Sequence, residues 1–147
     1  MTLRVESSSI YDKTGLDDLE PREVEGIEPD LKAVGYQLRP EEMRPSVWEF
    51  AAGETNNWHR HEAQEELYFV LDGEFVVTVE EGGGASDESG DGEADETERE
   101  TFDLRDGEFV VIAPETWRQF EALEDGRLFV VGAPNVKGDA ITEDEES

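Results

Sequence analysis

The sequence has no cysteine, two histidines, two methionines and twelve basic residues against forty acidic ones. Each shortage closes off a class of chemistry. Without cysteine there is no disulfide, no thiolate zinc site and no cysteine nucleophile. With a formal net charge of −28 and only Lys13, Lys32 and Lys137 as lysines, no basic face is visible for phosphate contacts. Nucleic acid is therefore not expected as a partner. No apolar run approaches the roughly 20 residues that span a bilayer, and the opening MTLRVESSSIYDK lacks an apolar targeting core. The expectation is a soluble, cytoplasmic protein without a membrane partner.

A chain of 147 residues has room for one domain with a core of its own. Three readings of the acidity compete: a disordered chain, a surface for cationic partners, or adaptation to molar salt. In molar salt the Debye length falls to about 3 Å and like charges stop repelling at a distance. The acids are spread over the whole chain, among well-patterned β segments, which favours the salt reading. The composition resembles that of halophilic archaeal proteins, a likeness that carries no information on activity.

Residues 1–30 are polar and turn-rich, with Pro21, Gly26 and Pro29 opposing a long helix. They are read as an N-terminal arm. From Leu31 the texture changes to short runs rich in Val, Phe, Tyr, Trp and Ile. These predict strands over 31–38, 45–52, 57–61, 66–72, 74–80, 100–104, 108–113, 117–122 and 127–133. Asp72-Gly73, Asp106-Gly107 and Glu124-Asp125-Gly126 are tight-turn signals. No segment sustains a 3.6-residue apolar period, so the class is all-β, a sandwich or barrel. The barrel is assigned to 31–138, with residues 139–147 as a frayed acidic tail. Residues 81–98, EGGGASDESGDGEADETE, have no large apolar side chain and are read as a flexible acidic hairpin loop. Asp87, Asp91, Glu93 and Asp95 there could offer oxygens to calcium, but their order does not fit an EF-hand.

Both histidines lie in NNWHRHEAQEELYFVLDGE, residues 56–74. On a strand, residues i and i+2 share a face about 6.6 Å apart, so His59 and His61 project side by side. Glu66 opens the next strand and can swing in as a carboxylate. Two imidazoles and a carboxylate suit Fe(II), Mn(II), Ni(II), Co(II) or Zn(II). The bland alternative is a pair of histidines on a solvated strand. Glu65 competes for the carboxylate role, but Glu66, Tyr68 and Val70 share one face. Trp48, Trp58, Tyr68, Trp117 and Phe120 are candidate pocket aromatics, with ordinary core packing as the competing role for each. No serine or threonine sits in a nucleophile setting. The glycines at 82–84 precede no helix, so a phosphate loop is excluded.

The frame Gly53, His59, His61, Glu66, Gly73 resembles the first motif of the cupin superfamily at every named position. The resemblance implies a jelly-roll-like barrel of two antiparallel sheets, the double-stranded β-helix, with those ligands at its mouth. A second cupin motif starting at Gly107 survives only in outline. Its later positions fall on Ala113, Glu115, Arg118 and Ala122, so the family's last metal-binding histidine is replaced by Arg118. A guanidinium stays charged and ligates no metal. Three placements follow for it. It binds an anionic ligand beside a three-ligand metal site, or it pairs with Glu66 in place of the metal, or it turns out to the surface. Cupins include enzymes, sensors and storage proteins, so fold decides little. The expectation is a cupin that binds a small molecule, with Arg118 and Tyr68 as ligand contacts and a divalent metal on His59, His61 and Glu66. A metal-dependent oxygenase or sugar isomerase using the same three residues is the alternative, and an interaction role for the acidic surface comes third. A homodimer is expected from the way small cupins pair through their sheets.

Overall fold

The protein is described from a computed structural model, which covers residues 5–7, 11–81 and 99–142. The acidic loop, with Asp87, Asp91, Glu93 and Asp95, lies outside these residues apart from Glu81, as does the tail beyond Thr142. Thirteen strands are described: β1 (Val5–Ser7), β2 (Asp12–Thr14), β3 (Arg22–Val24), β4 (Ile27–Lys32), β5 (Arg44–Phe50), β6 (His59–His61), β7 (Glu65–Asp72), β8 (Glu74–Glu81), β9 (Arg99–Arg105), β10 (Phe109–Ile112), β11 (Thr116–Ala122), β12 (Gly126–Ala133) and β13 (Ala140–Thr142). Among the described residues a single 3₁₀ turn spans Leu16–Asp18, and one short helix, α1 (Val34–Leu38), follows β4.

The strands form a six-stranded sheet, β10-β7-β12-β5-β4-β3, and a five-stranded sheet, β13-β6-β11-β8-β9. All their pairings are antiparallel, and β1 and β2 make a separate pair. Along β7 and β12 alternate residues face inward, as the period of a half-buried strand requires. Tyr68, Val70, Leu128 and Val130 meet Phe75, Val77, Phe120 and Ala122 of the other sheet, which closes the core between the layers.

The three glycine turns do not make hairpins. Asp72-Gly73 joins β7 to β8, Asp106-Gly107 joins β9 to β10, and the turn before Gly126 joins β11 to β12. In each case the flanking strands belong to different sheets, so the turn is a corner that carries the chain across the barrel. Gly73 shows why a glycine is needed there: its φ is 102°, and a Cβ would lie 2.7 Å from the Gly126 Cα.

Three expectations need correction. Residues 31–38 are not a strand: β4 ends at Lys32 and the chain turns into α1, where Gly35 packs so tightly on Pro45 that a Cβ would sit 3.1 Å from its ring. Residues 22–30 are not a detached arm, because β3 and the start of β4 extend the six-stranded sheet. The tail is not frayed from Asp139. That residue is buried, and β13 pairs with β6.

Candidate metal and ligand site

β6 is three residues long, with both histidines buried and Arg60 between them half-buried on the other face. In the sheet His59 is opposite Arg118 and His61 is opposite Ala140. The imidazole rings are 5.1 Å apart, and the ligand atoms that His59, His61 and Glu66 offer all lie within 4.8 Å of one another. These three residues could hold a metal ion.

The two imidazoles have different neighbours at Nδ1. His59 Nδ1 lies 2.9 Å from the Asn57 carbonyl oxygen. A carbonyl can only accept, so Nδ1 donates its proton there and Nε2 keeps a lone pair. His61 places Nε2 3.3 Å from Glu66 Oε2 and Nδ1 3.4 Å from Asp139 Oδ2. The second contact lies within reach of the carboxylate charge but off the line of a hydrogen bond. Asp139 itself is fixed by the backbone N–H groups of Ala63, at 2.9 and 3.1 Å, and Gln64, at 2.9 Å.

Arg118 points into the barrel and is fully buried. Its Nη1 donates to Glu66 Oε1 at 2.8 Å and its Nη2 to the Ala113 carbonyl at 3.1 Å. The Tyr68 hydroxyl donates to the same Glu66 oxygen. The two carboxylate oxygens therefore have separate duties: Oε1 takes Arg118 and Tyr68, while Oε2 faces His61.

Above this cluster opens a cavity of about 500 Å³. Trp48, His59, His61, Gln64, Glu66, Tyr68, Leu128 and Val130 are among the residues that line it. Arg118 is not; it lies beneath the floor and acts on the cavity through Glu66. Of the candidate aromatics, Trp48 and Tyr68 line the cavity and Phe120 packs in the core against Tyr68 at 4.5 Å. Trp58 and Trp117 do not reach it. They stack on each other at 5.9 Å on the far face of the five-stranded sheet, with Arg99 over one ring and Arg60 over the other.

A family model described as a cupin domain matches residues 46–84, the stretch that carries both histidines and Glu66. The fold is that of the cupin barrels. An oxalate decarboxylase from Lactobacillus farciminis, solved as a formate complex, superposes with a TM-score of 0.66 at 18% identity over 90% of this chain. This chain spans only 36% of that one. KdgF from Halomonas sp. gives 0.58 at 22% identity, covering 82% of this chain and 93% of its own. An RmlC-like cupin from Shewanella frigidimarina gives 0.61 at 16% identity, over 90% of this chain and 96% of its own. No curated protein matches the chain by sequence.

Within the cupin frame the altered second motif acquires a structure. Glu115, standing where the family pattern has glycine, adopts φ 70°, a conformation that costs a side-chain-bearing residue about 1 kcal/mol or more. It is held there by its N–H, which donates to the His61 carbonyl at 2.6 Å. The degraded motif still positions the intact one.

The electrostatics follow from burial and neighbours. Burial penalises the charged imidazole and lowers the His59 pKa from 6.5 to about 4, against the opposing effects of Asn57 and Glu66. For Glu66 burial acts in the opposite sense and would raise the pKa. The hydrogen bond and charge of His61, the Arg118 charge and the Tyr68 hydroxyl overcome it and bring the value to about 2. Burial, then the Glu66 charge, raises Tyr68 well above its usual 10. Near neutral pH the site thus holds a neutral His59, an ionised Glu66 and a protonated Tyr68.

Sequence reasoning missed Asp139, Asn57 and Gln64. Asn57 is a backbone contact and left no side-chain signal. Asp139 sits in Lys-Gly-Asp-Ala-Ile-Thr, where Ala140 and Ile141 are the apolar interruption of an acidic tail, and that interruption marks β13.

Proposed function

We propose that this cupin binds a small molecule in the barrel cavity, beside one divalent metal ion on His59, His61 and Glu66. One observation carries the reading: one ligand atom each from His59, His61 and Glu66 lies within 4.8 Å of the others, while His59 Nδ1 is hydrogen-bonded to the Asn57 carbonyl and the Asp139 carboxylate charge lies 3.4 Å from His61 Nδ1. Metal-binding histidines are commonly oriented by such an acceptor on the remote nitrogen. Arg118 is compatible with this donor set, because it occupies Oε1 and leaves Oε2 on the histidine side. In this reading Arg118 and Tyr68 aim the carboxylate, and Tyr68 also meets the ligand through the cavity wall. The ion, one of Fe, Mn, Ni, Co or Zn, would supply a positive centre for a ligand oxygen.

A metal-dependent enzyme, of oxygenase or isomerase type, is the second reading, supported by a neighbour named as a decarboxylase. Binding is preferred because the second motif is altered: Arg118 stands in place of its histidine and is paired with Glu66.

The test is metal content after chelation and titration with each of the five ions. Wild type takes up about one ion per chain, and His59→Ala and His61→Ala lose it, since each removes one of few ligands. A wild type that stays metal-free at saturating concentrations of all five sinks the metal half of the proposal.

A further inference from the structure

The charge around the cavity runs against the charge of the molecule. Forty of 147 residues are acidic, yet among the described residues Glu66 is the only acid in the cavity lining, and its charge is already met by Arg118. Three basic side chains lie on the rim: Arg22 from β3, Arg44 at the start of β5, and Lys137 just before β13. They come from three distant parts of the chain. Among the described residues Lys32, Arg99, Arg105, Arg118 and Arg127 are each within 4 Å of a carboxylate, whereas Arg22, Arg44 and Lys137 form no such pair. Arg22 instead lies over the Tyr36 ring, 5.2 Å from its centre, also on the rim. In a chain with more than three acids per base, solvated cations would be expected to find carboxylates. These three, like Arg39, have none within that distance among the described residues, and unlike Arg39 they line the cavity.

A fourth observation comes from inside the cavity. Gln64 is 1% exposed and lines the wall, and its Nε2 donor has no partner. Its amide occupies the space that Gly132 leaves open, where a Cβ would come within 2.8 Å of Gln64 Oε1. A buried donor left unmatched costs about 1–3 kcal/mol, which an acceptor on a ligand would recover.

We infer that the cavity's ligand is a small molecule bearing a carboxylate or phosphate, received by Arg22, Arg44 and Lys137 at the rim and by the Gln64 amide within. The inference rests on the cavity being a ligand site, but not on the metal. Guanidinium groups bind either oxyanion through paired N–H donors, and the ammonium adds a mobile charge. In a chain this acidic, a cationic rim also gives an anion a local attraction towards the cavity.

Trp48 in the cavity wall supplies a reporter that needs no knowledge of the ligand. In a Trp58→Phe/Trp117→Phe background, Trp48 fluorescence is quenched by iodide, caesium and neutral acrylamide at matched ionic strength. The expected order puts iodide above caesium, the reverse of what a net charge of −28 dictates. Arg22→Gln/Arg44→Gln/Lys137→Gln restores the caesium preference. The control Lys13→Gln/Arg39→Gln/Arg105→Gln, with the same change in net charge, does not. Malonate and inorganic phosphate then compete with iodide, malonamide does not, and the rim variant weakens competition by about tenfold. Whichever anion competes better separates carboxylate from phosphate recognition. Shifts of the Gln64 side-chain amide in wild-type NMR spectra repeat the titration without replacing tryptophans. Caesium exceeding iodide in wild type, or anions that compete equally in the rim variant, overturns the inference. Metal content of the rim variant, measured in parallel, keeps the two proposals apart: it stays at the wild-type value if the metal site is real and is zero in both if it is not.

Discussion

Arg118 is the residue on which the site turns. It is fully buried and its charge is balanced by Glu66, so removing it leaves a buried carboxylate without its cation. Arg118→Ala should destabilise the metal-free protein by about 3–5 kcal/mol in urea unfolding. Saturating Zn(II) should recover much of that loss, because an ion on Glu66 replaces the missing charge. Arg118→His, which restores the family's usual residue, should bind metal more tightly than wild type. If Arg118→Ala is as stable as wild type without metal, the pair is not holding Glu66. His59 makes the site sensitive to pH. Its folded pKa is about 4 against 6.5 when unfolded, so between these values the unfolded chain takes up a proton that the folded one refuses. Stability contributed by the neutral ring is complete above pH 6.5 and is lost as pH falls towards 4, about 3 kcal/mol in all. Chelator-treated wild type should lose that much more than His59→Asn between pH 6.5 and 4. An identical pH slope in both would show that burial does not keep the ring neutral. His59, His61 and Glu66 were legible because they are close in sequence and strand alternation fixes their faces. Whether Arg118 faced the barrel was not legible, since the altered motif allowed either face.

At the level of elements, the turn signals were readable but their partners were not. Asp-Gly marks a reversal in either a hairpin or a sheet-to-sheet corner, and only the pairing of distant strands decides which. Residues 31–38 read as a strand because they are short and apolar, and the tight seat of Gly35 on Pro45, which selects the helix, is a contact between elements. β13 escaped notice for a similar reason. Three residues in an acidic tail look like nothing until β6 gives them a partner, and Asp139 reaches Ala63 across 76 residues of chain. It ties the β6–β7 connection to β13 and stands behind His61. Asp139→Asn should therefore weaken metal binding by about 10–100-fold, and Asp139→Ala should also cost about 1–3 kcal/mol of stability by freeing three N–H contacts. Unchanged metal affinity in both variants would reduce Asp139 to a structural tie.

At the scale of the whole molecule, two surfaces contrast. The chain carries forty acidic residues against twelve basic ones, and we propose that this charge is an adaptation to molar salt. The melting temperature should then rise from 0.1 M to 2 M KCl as self-repulsion is screened, and a flat or falling curve would return attention to cationic partners. The outer face of the six-stranded sheet is different. At its β10 edge Phe109 is 65% exposed and Val111 57%, beside Leu67 and Leu71, and Phe109 stacks on Phe69 at 4.4 Å. An apolar edge of this kind needs cover, and we propose that a second copy of the chain supplies it. Phe109→Lys/Val111→Lys should turn a dimer into a monomer by light scattering in molar salt, and a wild-type monomer at micromolar concentration would remove the proposal. The closure of the site by β13 has a consequence in time. His59, His61 and Glu66 are translated before Asp139 and β13, with more than seventy residues of chain between Glu66 and Asp139. Until that stretch has been made, the imidazoles have no carboxylate of Asp139 beside them, so the site is assembled in two stages separated in time.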